Sequence, residues 1–431
     1  MTRLPRATVA LALALAACAP PRPTPHPLPF DPLPPPTDAA EATPPSAPLD
    51  DTEHRAAWRG PWAPRVVAEL RVGGAVRAPV VLVRGTCPER RAADCVCVDD
   101  LLLVAALDGT LAAFAADGTL RWSWSCGAPL SNPPTVAPGE AVFARCDDGT
   151  LAALDPADGH ERWRVVRPCE AAMCGAAEWS PWAGTAFVAG RGVAAVARSG
   201  AVAWTHPAPG PFPGRPALSG TTLVAAGLDR QVRGLDAETG EQRWRQWVVG
   251  GVEGGVLELR SGAVVVATLY GRVYAFGLPG GTPRWETPVG ELVRGRPAEG
   301  TDGTVLVPVA DGALAGLGPE TGVLRFRRAI PATVLAEPLA VWPAEPDPNE
   351  GHVVVADRDG FVYELAYPVR TGPPVEDPAT AARELWRFNA GLPIDGRPTL
   401  AGATLLVGLT DGRVLRLAPG TPDCAAAGEP R

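Results

Sequence analysis

Side chains able to do chemistry are few and scattered in this chain. Its five histidines are His26, His54, His160, His206 and His352. None stands at His-x-x-x-His spacing, so a zinc-peptidase centre has no ligand set. No Gly-x-Ser-x-Gly elbow offers a serine nucleophile. The run Gly250-Gly-Val-Glu-Gly-Gly255 lacks the lysine of a phosphate loop, and Cys95-Val-Cys97 is not zinc spacing. Asp-Gly pairs recur without the alternating acidic ligands of a calcium loop. No catalytic residue, cofactor or metal site is expected from these patterns. What does recur is arginine beside proline: Arg215, Arg296 and Arg397 directly precede Pro, and Arg77 precedes Ala-Pro. Guanidinium groups brought together would receive carboxylates or phosphates through forked hydrogen bonds. The plainer alternative is that each pairs with an acid such as Glu337 and ties structural units together.

The elements that would position these residues must be strands. The 431 residues include 50 Pro and 48 Gly, and both residue types weaken helix interiors. All basic residues are Arg, with no Lys. A net charge of −8 argues against general nucleic-acid binding, which needs clustered positive charge.

Residues 1–17 read as a signal peptide. Arg3 and Arg6 start it, and Ala7–Ala17 is an apolar run too short to span a bilayer. It ends in Leu15-Ala16-Ala17-Cys18, which resembles the bacterial lipoprotein box. That resemblance implies acylation of Cys18 and a membrane anchor. Ala19 follows, where an Asp would signal retention at the inner membrane, so an outer-membrane lipoprotein facing the periplasm or the cell surface is expected. Residues 18–57 are then an acylated Cys and a Pro-rich tether, since such composition builds no core and favours extended chain. Residues 58–431 are expected to form the folded part.

Eight further cysteines, an even number, suit disulfides in an oxidising compartment. Cys169–Cys174 would stiffen one loop, and Cys126–Cys146 would join an interblade loop to a hairpin turn. Cys87–Cys95 with Cys97–Cys424, or Cys87–Cys97 with Cys95–Cys424, would cross the junction of the two chain ends.

Self-comparison reveals a unit of about 41 residues. Asp148-Gly-Thr-Leu-Ala-Ala-Leu-Asp-Pro-Ala-Asp-Gly-His-Glu-Arg-Trp163 matches Asp229-Arg-Gln-Val-Arg-Gly-Leu-Asp-Ala-Glu-Thr-Gly-Glu-Gln-Arg-Trp244. A closing aromatic recurs at Trp122, Trp163, Trp204, Trp244, Trp285, Phe326 and Trp386, the last step carrying an insertion at 367–384. A turn position recurs eight times, at Gly109, Gly149, Gly192, Arg230, Gly271, Gly312, Gly360 and Gly412. Each unit reads as four antiparallel strands, the signature of a propeller blade. The eighth unit stops after its third strand, and Val66–Val72 supplies the missing one, closing the ring. The fold expected is all-β: an eight-bladed β-propeller of four-stranded antiparallel blades, closed by an N-terminal strand. The seven periodic aromatics are expected to pack between blades.

The pattern Asp-Gly-x-Leu/Val-x-Ala-Leu-Asp-x-x-Thr/Asp-Gly-x-x-x-Trp resembles the pyrroloquinoline-quinone-like (PQQ-like) β-propeller repeat family, over residues 66–417. That family includes quinoprotein dehydrogenases and also a lipoprotein of the outer-membrane barrel-assembly machinery. The dehydrogenases cap their quinone with an adjacent-cysteine disulfide and hold Ca²⁺ with carboxylates and an Asn. This chain has no Cys-Cys pair, and its only asparagines, Asn132, Asn349 and Asn389, flank no repeat-aligned acid pair. The resemblance therefore implies a non-catalytic, lipid-anchored, monomeric propeller that binds a protein partner. A role in barrel assembly is the narrower expectation. A quinoprotein dehydrogenase and a surface sensor or adhesin for glycans or peptides are the alternatives. Candidate partner-binding residues are Arg77, Arg215, Arg296 and Arg397 around one mouth of the central channel. The off-period tryptophans Trp179 and Trp182 complete the set, with Trp247 and Trp342 also outside the period.

Overall fold

The computed structural model describes residues 57–58, 64–84, 100–166, 168, 175–181, 183–343, 347–369 and 381–419. Within them the chain forms eight four-stranded antiparallel blades and no helix. Blade 1 contains Val81–Val83, Leu101–Ala105, Thr110–Ala115 and Leu120–Ser125, and blades 2 to 7 repeat that order. Blade 8 contains Thr399–Ala401, Thr404–Gly408 and Arg413–Ala418, and its outer strand is Arg65–Arg71. This strand pairs antiparallel with Arg413–Ala418, Leu70 opposite Val414. Closure by the N-terminal strand, expected from the truncated last repeat, is the observed arrangement. A short parallel pairing also sets Ala57–Trp58 beside Trp342 and Pro343 on the inner strand of blade 7.

The middle strands of each blade are buried on both faces, as in Ala263–Ala267, where all five residues are buried. Such strands need cover on both sides, and the neighbouring blades provide it. Eight apolar clusters result, one per interface. One joins Val265 and Ala275 of blade 5 to Val307 and Ala315 of blade 6. Another joins Leu102 and Phe114 of blade 1 to Leu406 and Val414 of blade 8. Backbone hydrogen bonds run round one rim of the ring. The loop between two blades donates to the middle-hairpin turn of the first, as from Val293 N to Thr268 O at 3.2 Å, and accepts from that of the next, as from Ala310 N to Leu292 O at 2.8 Å. The same bond crosses the seam from Val76 N to Leu409 O at 3.0 Å.

The turn glycines are explained by this belt. Gly271 has φ +65°, and a Cβ there would lie 2.1 Å from the Gly290 carbonyl oxygen. Arg230 fills the same position in blade 4 with φ 64°, the one non-glycine residue at positive φ among the described residues.

In blades 1 to 6 the periodic aromatic sits at a β-bulge on its outer strand, opposite a small residue. Trp122 faces Ala113, Trp244 faces Gly234, and Phe326 faces Gly316. A Cβ on Gly234 would collide with the Trp244 ring at 2.1 Å. The indole then reaches under the outer turn of the next blade. Trp122, Trp163, Trp204 and Trp285 donate through Nε1 to the carbonyls of Pro156, Arg198, Ala237 and Pro319, at 2.8–3.2 Å. Glycines of those turns (Gly159, Gly200, Gly240 and Gly322) lie against the rings.

The seam departs from this rule on both sides. Trp386 faces blade 8, whose third and fourth strands come from opposite ends of the chain and share no connecting turn. Its Nε1 donates instead to Glu364, which stands where blades 1 to 6 carry Ala or Gly. The other carboxylate oxygen of Glu364 is 2.7 Å from His352 Nδ1. In blade 8 the aromatic position is Ala68, and the residue opposite it is Arg416. Arg416 Nη1 donates to the Ala116 carbonyl in the outer turn of blade 1 at 2.5 Å, while Nε donates to Thr404 Oγ1 at 3.0 Å. The guanidinium thus makes, from the opposite strand, the bond an indole makes elsewhere. Removing it with Arg416→Ala should cost about 2 kcal/mol, the scale of a hydrogen bond from a charged group. Adding Ala68→Trp should restore part of that loss. Urea midpoints of the single and double variants check this, and a double variant less stable than the single would contradict the exchange.

Candidate functional site

The inner strands begin on the rim that carries the interblade loops, so residues at their starts surround one mouth of the channel. Arg215, Arg296 and Arg397 occupy equivalent starts in blades 4, 6 and 8. Arg215 Nε is 2.5 Å from Glu178 of blade 3. Arg296 donates from Nε and Nη2 to the Val256 carbonyl at 2.9 and 2.8 Å. Its Nη1 reaches Glu337 at 3.3 Å, and Arg397 Nη1 reaches the same Glu337 oxygen at 3.3 Å. Glu337 holds in blade 7 the position that arginine holds in blades 4, 6 and 8, so the alternation of sign is built into the ring.

Arg77 does not join them. It pairs with Asp395 at 3.2 Å, and Arg358 lies 3.1 Å from the other oxygen of that carboxylate. The reason is register: Val76 N donates to Leu409 O as Val293 N donates to Thr268 O, and Val81 faces Leu103 as Ala298 faces Leu306. Pro79 therefore holds the arginine position in blade 1, two residues beyond Arg77. The expected convergence of four arginines reduces to three.

Nor is the mouth a purely positive funnel. Glu178, Glu258 and Glu299 stand on the inner strands of blades 3, 5 and 6, and sequence reasoning missed all three. Their only signal is a charge inside a short strand that is otherwise apolar, as in Val256-Leu-Glu-Leu259. Burial pushes the Glu258 carboxyl up from its ordinary value, against a hydrogen bond from Ser219, and the charges of Glu178 and Glu299 add to the rise. Burial raises Glu299 too, opposed by Arg260. Burial likewise pushes the Arg296 guanidinium down. The result is a partly desolvated, charge-balanced ring that can exchange internal ion pairs for those of a ligand.

The remaining candidates are dispersed. Trp179 is buried, its ring 5.0 Å from Phe143 and beneath the guanidinium of Arg198. Trp247 is 41% exposed at the outer edge of blade 4, on the same rim as the mouth. Nearby on that rim, Val249 in the next loop is 50% exposed and Tyr270 in the blade 5 turn is 68% exposed. Arg245 lies 5.8 Å from the Trp247 ring centroid. Trp342 ends the inner strand of blade 7, at the opposite rim. Cys126 and Cys146 are bonded, with Cα atoms 6.3 Å apart, joining the loop after blade 1 to the middle turn of blade 2. Asp148 lies beside this pair, but bonded sulfurs offer no thiolate to a metal. Cys18, Cys87, Cys95, Cys97, Cys169, Cys174, Cys424 and Trp182 lie outside the described residues.

The chain offers no adjacent-cysteine pair to cap a quinone. Among the described residues, Asn349 and Asn389 bond to nearby loop groups (Asp347 and Gly391 N).

The fold and repeat define an eight-bladed propeller of the PQQ-like class. A family model described as outer membrane protein assembly factor BamB matches residues 49–192, 181–292 and 269–421, and the chain belongs to that family. The crystal structure of BamB from Moraxella catarrhalis superposes with a TM-score of 0.62 at 17% identity, covering 83% of this chain and 98% of that one. The computationally designed Ika8 protein superposes with a TM-score of 0.60 at 13% identity, covering 83% of this chain and 100% of its own. At these identities the likeness is one of fold. No curated protein sequence matches the chain significantly.

Glu258 gives the mouth a pH signature. Its carboxyl titrates higher folded than unfolded, so the folded state holds more protons between the two values, and stability falls as pH rises through that window. The cost persists above it. Glu258→Gln should therefore be more stable than the parent at pH 7 to 8. The difference should vanish below about pH 4, under the ordinary glutamate value. Urea melts across pH check this; a destabilised Gln variant at pH 7 would contradict it.

Proposed function

We propose that this protein is a non-catalytic, lipid-anchored propeller that holds other proteins at the periplasmic side of the outer membrane and serves the assembly of outer-membrane proteins. Membership of the BamB family carries the reading. The acylation motif ending in Cys18, the Pro-rich stretch 18–57 and the folded part 58–431 fit an anchor, a tether and a binding head. Two acyl signals at one cysteine anchor firmly, because each buried methylene contributes about 0.8 kcal/mol. The bonded Cys126–Cys146 pair suits an oxidising compartment. Among the described residues no helix is long and apolar enough to cross a membrane, so attachment in this reading falls to the lipid.

The binding surface in this reading is the rim shared by the charged mouth and the Trp247, Val249 and Tyr270 patch. Exposed aromatics beside arginines are the composition of interface hot spots. Crosslinking in native membranes, followed by identification of the captured proteins, tests the proposal. Components of the barrel-assembly machinery should be recovered. A Trp247→Ala, Tyr270→Ala double variant should reduce their yield at least fivefold with an unchanged melting temperature. Recovery of no envelope protein would overturn the proposal, as would a melting temperature several degrees higher with pyrroloquinoline quinone and Ca²⁺.

A further inference from the structure

Balanced as a whole, the mouth is uneven round its circumference. Arg215 pairs with Glu178, and Arg294 pairs with Glu253 at 3.4 Å, one guanidinium to one carboxylate. From blade 6 round to blade 1 each carboxylate serves two arginines. Arg296 and Arg397 meet at one oxygen of Glu337. Arg77 and Arg358 meet at Asp395, one at each of its oxygens. Acids further out do not redress this. Asp357 accepts from Tyr363 at 2.8 Å, and Asp411 pairs with Arg413 at 2.6 Å. Asp359, in the same turn as Arg358, makes no ion pair among the described residues.

The repeat does not call for this grouping. Arg358 N bonds to the Thr333 carbonyl, the belt bond that Leu107, Asp147, Leu228, Leu269 and Ala310 make in other blades. The belt uses only the backbone, so a basic side chain there is an addition peculiar to blade 7. Arg77 is likewise outside the repeat, two residues ahead of the arginine position. Asp395 draws both together on the rim by the seam. It takes each through Nε, at 3.2 and 3.1 Å, so the paired Nη groups of both arginines remain without a partner among the described residues. These donors are open to solvent, the two side chains being 51% and 48% exposed.

We propose that this sector of the mouth binds a phosphate monoester group. Its oxygens would accept from the Nη pairs of Arg77 and Arg358, while Arg296 and Arg397 add positive charge from the inner-strand starts. Each guanidinium fork takes two acceptors. A phosphate monoester presents three terminal oxygens and a charge of about −1.5 to −2 at pH 7, whereas a carboxylate presents two oxygens and a single charge. Exposed ion pairs are weak, so the group displaces little on entering. A soluble ester and a lipid headgroup offer the same chemistry. The site stands whether or not the protein serves outer-membrane assembly.

Phosphorus NMR titrations of the full folded chain tests this with two probes, glycerol phosphate and short-chain dihexanoyl phosphatidic acid kept below its micelle concentration. Both signals should shift or broaden, with dissociation constants in the millimolar range or tighter. Equal affinities would support the ester group alone as the ligand, and at least tenfold tighter binding of the lipid would support a headgroup. The double variant Arg77→Ala, Arg358→Ala should weaken both at least tenfold at an unchanged melting temperature. Arg162→Ala, in the outer strand of blade 2, should change them less than twofold. Absence of any shift or broadening with both probes would overturn the proposal. So would undiminished binding by the double variant, or acetate that displaces glycerol phosphate at equal concentration.

Discussion

The structure rests on one constraint: its central strands are apolar on both faces, and a sheet with two apolar faces has no stable existence alone. Each blade must be sandwiched, so the row of blades has to return on itself. The eight clusters satisfy this in turn, the last joining Leu406 and Val414 to Leu102 and Phe114. The hydrophobic term is undirected and would tolerate sliding. Direction comes from the indole that hooks under the next blade's turn, and from the backbone belt along the mouth rim.

That division leaves function to the rims. Residues inside the interfaces are committed to packing, so a ligand meets only inner-strand starts, turns and interblade loops. The mouth ring shows how such positions acquire chemistry cheaply. Single residues at one repeat-equivalent position vary between Arg215, Gly255, Arg296, Glu337 and Arg397 without altering a strand. The charges neutralise one another in pairs, which keeps a partly buried ring affordable and leaves each ion pair open to exchange.

How much of this was legible in the sequence depends on periodicity. The blade count, the closing strand and the interblade aromatics recur about every 41 residues and could be read directly. Arg230 in a glycine position was legible for the same reason, and its φ of 64° agrees. Arg77 was misplaced because Arg-Ala-Pro and Arg-Pro look alike on paper while a two-residue offset redirects the side chain to Asp395. Glu258 and Glu299 occur once each in short strands, so no repeat announces them. Glu364 and Arg416 were the hardest to see. Their meaning depends on what the neighbouring blade lacks, and only the joined ends of the chain show that blade 7 meets no connecting turn and blade 8 no aromatic.

Hydrogen exchange along the outer strand of blade 8 tests ring closure most directly. Closure predicts that amides of Ala68–Arg71 exchange as slowly as those of their partner strand Arg413–Ala418, in one cooperative opening with the rest of the ring. Fast exchange of Ala68–Arg71 while the middle strands of blades 2 to 7 stay protected would contradict it.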